Sequence, residues 1–240
     1  MSNRIRMALA ATLIAAPVAA QAAPVNYTFT LTPENNSGVS GSGSIALDGT
    51  LATVTINATG LVPNQAHPSH IHGLLGADAP RTTIAPPSAD ANKDGFVEKT
   101  EGAPFEGPPI YDLPPSGMPG VYSTAPGGII AFTQTFDLAN AAFYDPDKLG
   151  LTLTLADIEG LSGGNTIPLA DRLVELHGLF VPAGVDGTTG PAGSLVYDRE
   201  MPVSAGLIRV AATAVPEPAT MALMGVGLLG LALKRRSKLG

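Results

Sequence analysis

The chain has 240 residues, a formal net charge of −7, 14% charged and 5% aromatic residues, and neither cysteine nor tryptophan. Without cysteine there is no disulfide framework, thiolate metal site or cysteine nucleophile. The acid excess argues against nucleic acid as a partner.

Arg4 and Arg6 precede an apolar stretch from Met7 to Val18, and small residues at Ala20 and Ala22 follow. A positive start, a short apolar segment and a small-residue end predict a secretory signal helix over residues 1–23, removed by signal peptidase. Downstream, Val25, Tyr27, Phe29 and Leu31 alternate with Asn26, Thr28, Thr30 and Thr32, the period of a half-buried strand. Ser44–Leu47 and Leu51–Ala58 flank Asp48 and Gly49, a hairpin signal. Further strands are predicted around His70–His72, at Ile130–Phe136, Leu151–Leu155, Leu173–His177, Ser194–Tyr197 and Leu207–Ala211. No long segment shows a 3.6-residue period. Short strands with turn-rich gaps predict an all-β domain over residues 24–214, a Greek-key-type β-sandwich.

Residues 76–128 interrupt this pattern. They are rich in Pro, Gly and Asp with little alternation, and they exceed the length of an ordinary connection. They predict a long loop insertion between two strands. Within it, residues 90–101 place oxygen side chains at loop positions 1, 3, 5, 9 and 12: Asp90, Asn92, Asp94, Glu98 and Glu101. Gly95 stands at position 6, Phe96 at position 7 offers its carbonyl, and Val97 at position 8 is expected to pack beneath the loop. Calcium takes six to eight hard oxygen ligands in a flexible shell, and this spacing resembles an EF-hand loop. The resemblance implies a Ca2+ site on Asp90, Asn92, Asp94, Phe96, Glu98 and Glu101. Pro86 and Pro87 disfavour an entering helix, and Gly102 with Pro104 leaves little exiting helix. A single structural loop is therefore expected, not a paired switch.

All four histidines fall in the mature region. On a strand, His70 and His72 project to one face with Ile71 on the other, a two-point grip for copper or zinc. His177 lies on a second predicted strand and shares a face with Leu173 and Glu175, so three imidazoles converge if the two strands pack together. His67, beside Pro68, is the one left over. Gly60-Leu61-Val62 leading to Ser69-His70-Ile71-His72-Gly73, after the strand Thr53–Ile56, resembles the CHRD domain. The same HxH strand resembles copper/zinc superoxide dismutase, a Greek-key β-sandwich. That likeness implies copper ligation by His70, His72 and His177. It lacks a further copper histidine, a zinc site and a disulfide, and so supports the fold more than the reaction. The carboxylate pairs Asp145/Asp147 and Asp157/Glu159 read as solvated turns, and no nucleophile-elbow motif is present.

At the C-terminus, Val215, Pro216, Glu217 and Pro218 precede an apolar run from Ala219 to Leu233 and then Lys234, Arg235, Arg236 and Lys238. Residues 215–240 resemble the PEP-CTERM sorting signal. The resemblance implies a Gram-negative host, exosortase processing, and a C-terminal hydrophobic helix that anchors the chain transiently in the inner membrane. The GxGxxG spelled by Gly225–Gly230 has no preceding strand and belongs to that helix. Removing both ends leaves seven basic residues against nineteen acids, a net charge of −12. The sequence thus predicts an exported, non-catalytic, calcium-binding protein of the surface or extracellular matrix. The rival is a copper/zinc enzyme of dismutase type. A carbohydrate-binding module contacting extracellular polysaccharide is a third reading, weakened by the lack of tryptophan for sugar stacking.

Overall fold

Alternation builds the first strand of the computed structural model, which describes residues 24–74, 81–122, 124–144 and 168–212. In β1 (Val25–Pro33), Tyr27, Phe29 and Leu31 are buried while the intervening threonines face outward. β2 (Ser40–Asp48) and β3 (Leu51–Thr59) form the expected hairpin, with Asp48 paired to Leu51 across the two residues Gly49 and Thr50. β4 (Ser69–His72), β5 (Pro109–Asp112), β6 (Ile129–Asp137), β7 (Leu173–Pro182), β8 (Leu195–Leu207) and the short β9 (Arg209–Val210) complete the described strands.

All strand pairs are antiparallel, in the order β5-β4-β7-β8-β1-β2-β3-β6, with β9 on β1. β1 joins the two halves. Its residues from Val25 to Leu31 pair with β2, and Thr32 and Pro33 pair with Ala205 and Ser204 of β8. The sheet curls, so that one apolar cluster takes Ile45, Ile56 and Phe136 from one half and Ile71, Leu176 and Val203 from the other. The two outer strands also approach each other. Tyr111 of β5 donates a 3.0 Å hydrogen bond to the carbonyl of Asp137 at the end of β6 and packs against Phe136, Phe143 and Tyr144.

Three expectations need correction. The 76–128 segment is not only a loop: it contains β5, which pairs with β4, and helix α1 (Lys99–Glu106). β5 shows no alternation because all four of its residues are buried, and its proline stands at the first position of an edge strand, where a missing N–H is tolerated. An exiting helix does follow the 90–101 loop despite Gly102 and Pro104. A reciprocal capping box between Glu98 and Glu101 starts it. Gly102 is buried where a side chain would meet Glu106, so its place is set by packing and not by helix propensity. On the entering side there is only a 3-10 turn, Pro87–Ala89, as the prolines predict. Finally, the strand expected at Ser194–Tyr197 runs on as the 13-residue β8 to Leu207, and the strand expected at Leu207–Ala211 is reduced to the end of β8 and the two-residue β9.

The expected signal helix, the strand at Leu151–Leu155, the carboxylates Asp145, Asp147, Asp157 and Glu159, and the tail at 215–240 lie outside the described residues. Among the described residues no helix is long and apolar enough to cross a membrane.

Candidate metal centre

The pleat of β4 sends Ile71 into the apolar cluster and His70 and His72 to the opposite face. β4 lies against β7, with His70 opposite Glu175 and His72 opposite Leu173. On β7, Val174 and Leu176 belong to the apolar cluster, and Glu175 and His177 occupy the other side. The β7–β8 register shifts on either side of His177. His70, His72 and His177 therefore converge, with one ligand atom from each within 4.8 Å of the others. None is more than 2% exposed. Their ring centroids are 5.1 to 5.7 Å apart.

Hydrogen bonds set the direction of two of these rings. His72 Nδ1 donates to the carbonyl of Gly107 at 3.1 Å, and His177 Nδ1 donates to the carbonyl of Glu200 at 2.8 Å. A neutral imidazole that donates from Nδ1 carries its lone pair on Nε2. The two Nε2 atoms face each other at 3.4 Å. Two lone pairs at that distance repel unless a cation or a proton lies between them. Burial lowers the pKa of both His72 and His177 to about 4, so both are held in the neutral form that binds metals. His70 turns Nε2 outward to the hydroxyl of Tyr122 at 3.0 Å and Oδ1 of Asp112 at 3.2 Å, so Nδ1 is the donor it would offer to a metal.

The carbonyl that orients His72 depends on a glycine. Gly107 ends α1 with φ +72°, and a Cβ there would strike the backbone of Gly73 just after β4. Only glycine lets the helix end lie this close to the histidine strand. His67 does not join the cluster. Fully buried, it points Nδ1 at the carbonyl of His177 (2.7 Å) and Nε2 at the carbonyl of Val62 (2.9 Å), which ties the segment before β4 to β7.

Carboxylates line one side of the cluster. Glu175 Oε2 lies 3.0 Å from His72 Nδ1 and 4.0 Å from His177 Nε2. Glu175, Glu34 and Glu106 bring one oxygen each to within 4.8 Å of one another. Burial, followed by the charge of Glu175, pushes Glu106 up to about 7 and Glu34 up to about 11, and burial raises Glu175.

The loop at 90–101 closes on its own side chains. Asp90 accepts from the backbone N–H groups of Lys93 (2.6 Å) and Gly95 (2.9 Å), Asn92 from Asp94 (2.9 Å), and Asp94 from Phe96 (3.0 Å). Glu101 reaches back to the N–H groups of Ala91 (2.8 Å) and Glu98 (3.1 Å). Gly95 takes the left-handed turn its position requires, at φ +95°. Glu98 Oε1 accepts from Asn92 Nδ2 within the loop at 3.3 Å and also reaches out of it, accepting from the N–H of Asp186 at 2.8 Å. It is Phe96, not Val97, that packs on the small cluster of Val181, Val185 and Met201. Val97 is instead tied by its backbone. Its N–H donates to Asn35 Oδ1 at 2.7 Å, and its carbonyl accepts from Asn35 Nδ2 at 3.0 Å. One asparagine side chain thus does the pairing that a neighbouring strand would do.

Sequence reasoning missed Asp112, Tyr122, Glu34 and Glu106. Glu175 was visible from the period of two that puts it beside His177. The others come from separate elements, and no local pattern connects them.

Comparison with known families identifies one segment. Residues 214–236 match the PEP-CTERM protein-sorting motif, a span that contains Val215, Pro216, Glu217 and Pro218. The motif supports an exported cell-surface protein of a Gram-negative bacterium, processed by exosortase-type machinery. No curated protein matches the chain.

Proposed function

We propose that this exported chain is a metal-holding protein of the cell surface, with copper or zinc on His70, His72 and His177 and calcium in the 90–101 loop. The curled sheet is read as a Greek-key β-sandwich of the CHRD and superoxide-dismutase type. The observation that carries the proposal is the pair of opposed Nε2 atoms, 3.4 Å apart, with both Nδ1 atoms donating to carbonyls. Metal-bound histidines characteristically donate their other N–H to a carbonyl or carboxylate. In a tetrahedral site with metal–nitrogen bonds of about 2.0–2.1 Å, ligand nitrogens stand roughly 3.3 Å apart. Three imidazoles without thiolate suit copper or zinc.

The burial of all three rings favours a holding site, with His72 alone of the three bordering the cavity of about 170 Å³ that Glu106 and Glu175 also line. His67, with both nitrogens directed at backbone carbonyls, supports the same reading, because it supplies no fourth metal imidazole. Metal analysis of untagged protein tests the proposal, together with copper EPR. One copper or zinc per chain is expected, with nitrogen hyperfine coupling in the copper form, and both are lost in His72→Ala and His177→Ala. Stoichiometric metal that persists in those variants, or its absence from the wild type, overturns the site. Superoxide turnover by the copper form would overturn the non-catalytic role and favour the dismutase reading.

A further inference from the structure

We propose that Glu34, Glu106 and Glu175 form a second cation site, built of oxygen alone and suited to a hard divalent ion such as manganese, magnesium or calcium. The residues come from three elements: the turn after β1, the last residue of α1 and the third residue of β7. Their carboxylate oxygens lie within 4.8 Å of one another. Glu106 and Glu175 are buried at 3% and 1% exposure, and Glu34 is partly buried.

The independent observation is the state of Glu175. It is almost completely enclosed, yet neither of its oxygens has a hydrogen-bond partner. Glu34 Oε2 is likewise buried without one, while the Glu34 and Glu106 carboxyl groups lie within hydrogen-bond reach of each other, a contact that takes a proton or a cation between them. Glu106 Oε1 accepts from the N–H of Ala85 at 2.8 Å, the sole hydrogen bond from a backbone donor to the three side chains among the described residues. No Lys or Arg forms an ion pair with any of them there; Lys99, the nearest candidate on α1, pairs with Glu200 at 3.6 Å. Three such carboxyl groups, two of them fully buried and none paired with Lys or Arg among the described residues, need either protons or a cation between them. Oxygen-only donor sets select hard cations, whereas imidazoles select copper and zinc, so the two clusters would not compete for one metal.

The site is also reachable. A cavity of about 170 Å³ opens beside Lys99 and Ala103 and is lined by Glu106 and Glu175. Glu34 borders a second cavity of about 370 Å³ on the side of Asn35 and Asp90. Glu175 would serve both clusters, with Oε1 toward the cation and Oε2 toward His72 Nδ1 at 3.0 Å.

The inference does not rest on metal binding by the histidines, and the test separates the two. Mn2+ is the probe, and bound and free ion are counted by EPR. The starting protein is the full chain carrying Asp90→Ala and Asp94→Ala, which removes binding by the 90–101 loop. One bound Mn2+ per chain is expected. Adding Glu106→Gln or Glu34→Gln, which keep shape and remove charge, should weaken it at least tenfold, and His177→Ala should leave it in place. Folding of each variant is checked by its thermal transition. The Glu106→Gln protein, which keeps every histidine, reports separately on the copper signal. Equal Mn2+ binding with and without the glutamine substitutions overturns the site. So does the absence of Mn2+ from the starting protein, which would mean that protons alone hold the carboxylates together, or loss of Mn2+ in His177→Ala with retention in Glu106→Gln.

Discussion

His72 and His177 sit in a pocket that favours neutral imidazole, and Glu106 sits beside them in one that favours neutral carboxyl. The two preferences have opposite consequences for stability. The pKa of each histidine falls from 6.5 to about 4 on folding. Between those values the unfolded chain binds protons that the native chain refuses. The contribution of the two histidines to metal-free protein therefore falls as pH drops from 6.5 toward 4, by about 1.4 kcal/mol per pH unit per histidine. Glu106 rises from 4.5 to about 7. Its contribution is fully present below pH 4.5 and is lost as pH climbs through 7. Replacing it with glutamine removes that loss. Chemical denaturation of metal-free protein should find Glu106→Gln more stable than wild type at pH 8, on the order of 2–3 kcal/mol, with no difference at pH 4.5. In the same variant Glu34 and Glu175, whose pKa values are also raised, still oppose the histidine trend between pH 6.5 and 4.5. Equal stability of the two proteins at pH 8 would show that Glu106 carries no strained charge.

At the scale of elements, α1 connects the two candidate sites. Its first turn carries Glu101, which closes the 90–101 loop, and its last residue and cap, Glu106 and Gly107, lie against the histidine cluster. Asn35 holds the loop to the sheet through both backbone groups of Val97. Calcium bound to the loop is expected to stabilise the whole protein by mass action, about 2.7 kcal/mol at a free concentration one hundred times the Kd. Extracellular modules of this kind bind at ~10⁻⁴ to 10⁻³ M, so the measurement belongs at millimolar calcium. Asp90→Ala should abolish the rise in Tm. Glu101→Ala should abolish it and also cost about 1 kcal/mol without calcium, because it removes half of the capping box. A wild-type Tm that ignores millimolar calcium would remove the calcium reading.

At the scale of the molecule, β1 passes from one half of the sheet to the other, and Tyr111 ties the far strand β5 back to the end of β6. Tyr111→Phe keeps the ring packing and removes only the hydrogen bond to Asp137. It should lower stability by about 1 kcal/mol in denaturant titration, and no change would mean that packing alone holds the two edges. The strands of the first half were legible because each has one covered and one open face, which writes an alternation into the sequence. β5 was not legible, because both of its faces are covered and its residues carry no period. Helix α1 was hidden by Gly102 and Pro104, since burial of the glycine and the capping glutamates outweigh local propensity. The loop spacing at 90–101, the face shared by His70 and His72, and the pairing of Glu175 with His177 follow from backbone periodicity, so the sequence alone determined them. It also determined the export address, through the matched motif at 214–236. Only the tertiary structure decided that β4 and β7 are neighbours, that His67 is tied to carbonyls instead of the cluster, and that Glu34 and Glu106 meet Glu175. These are contacts between residues up to about 140 positions apart, where no repeat of the backbone carries information and only the curl of the sheet brings the side chains together.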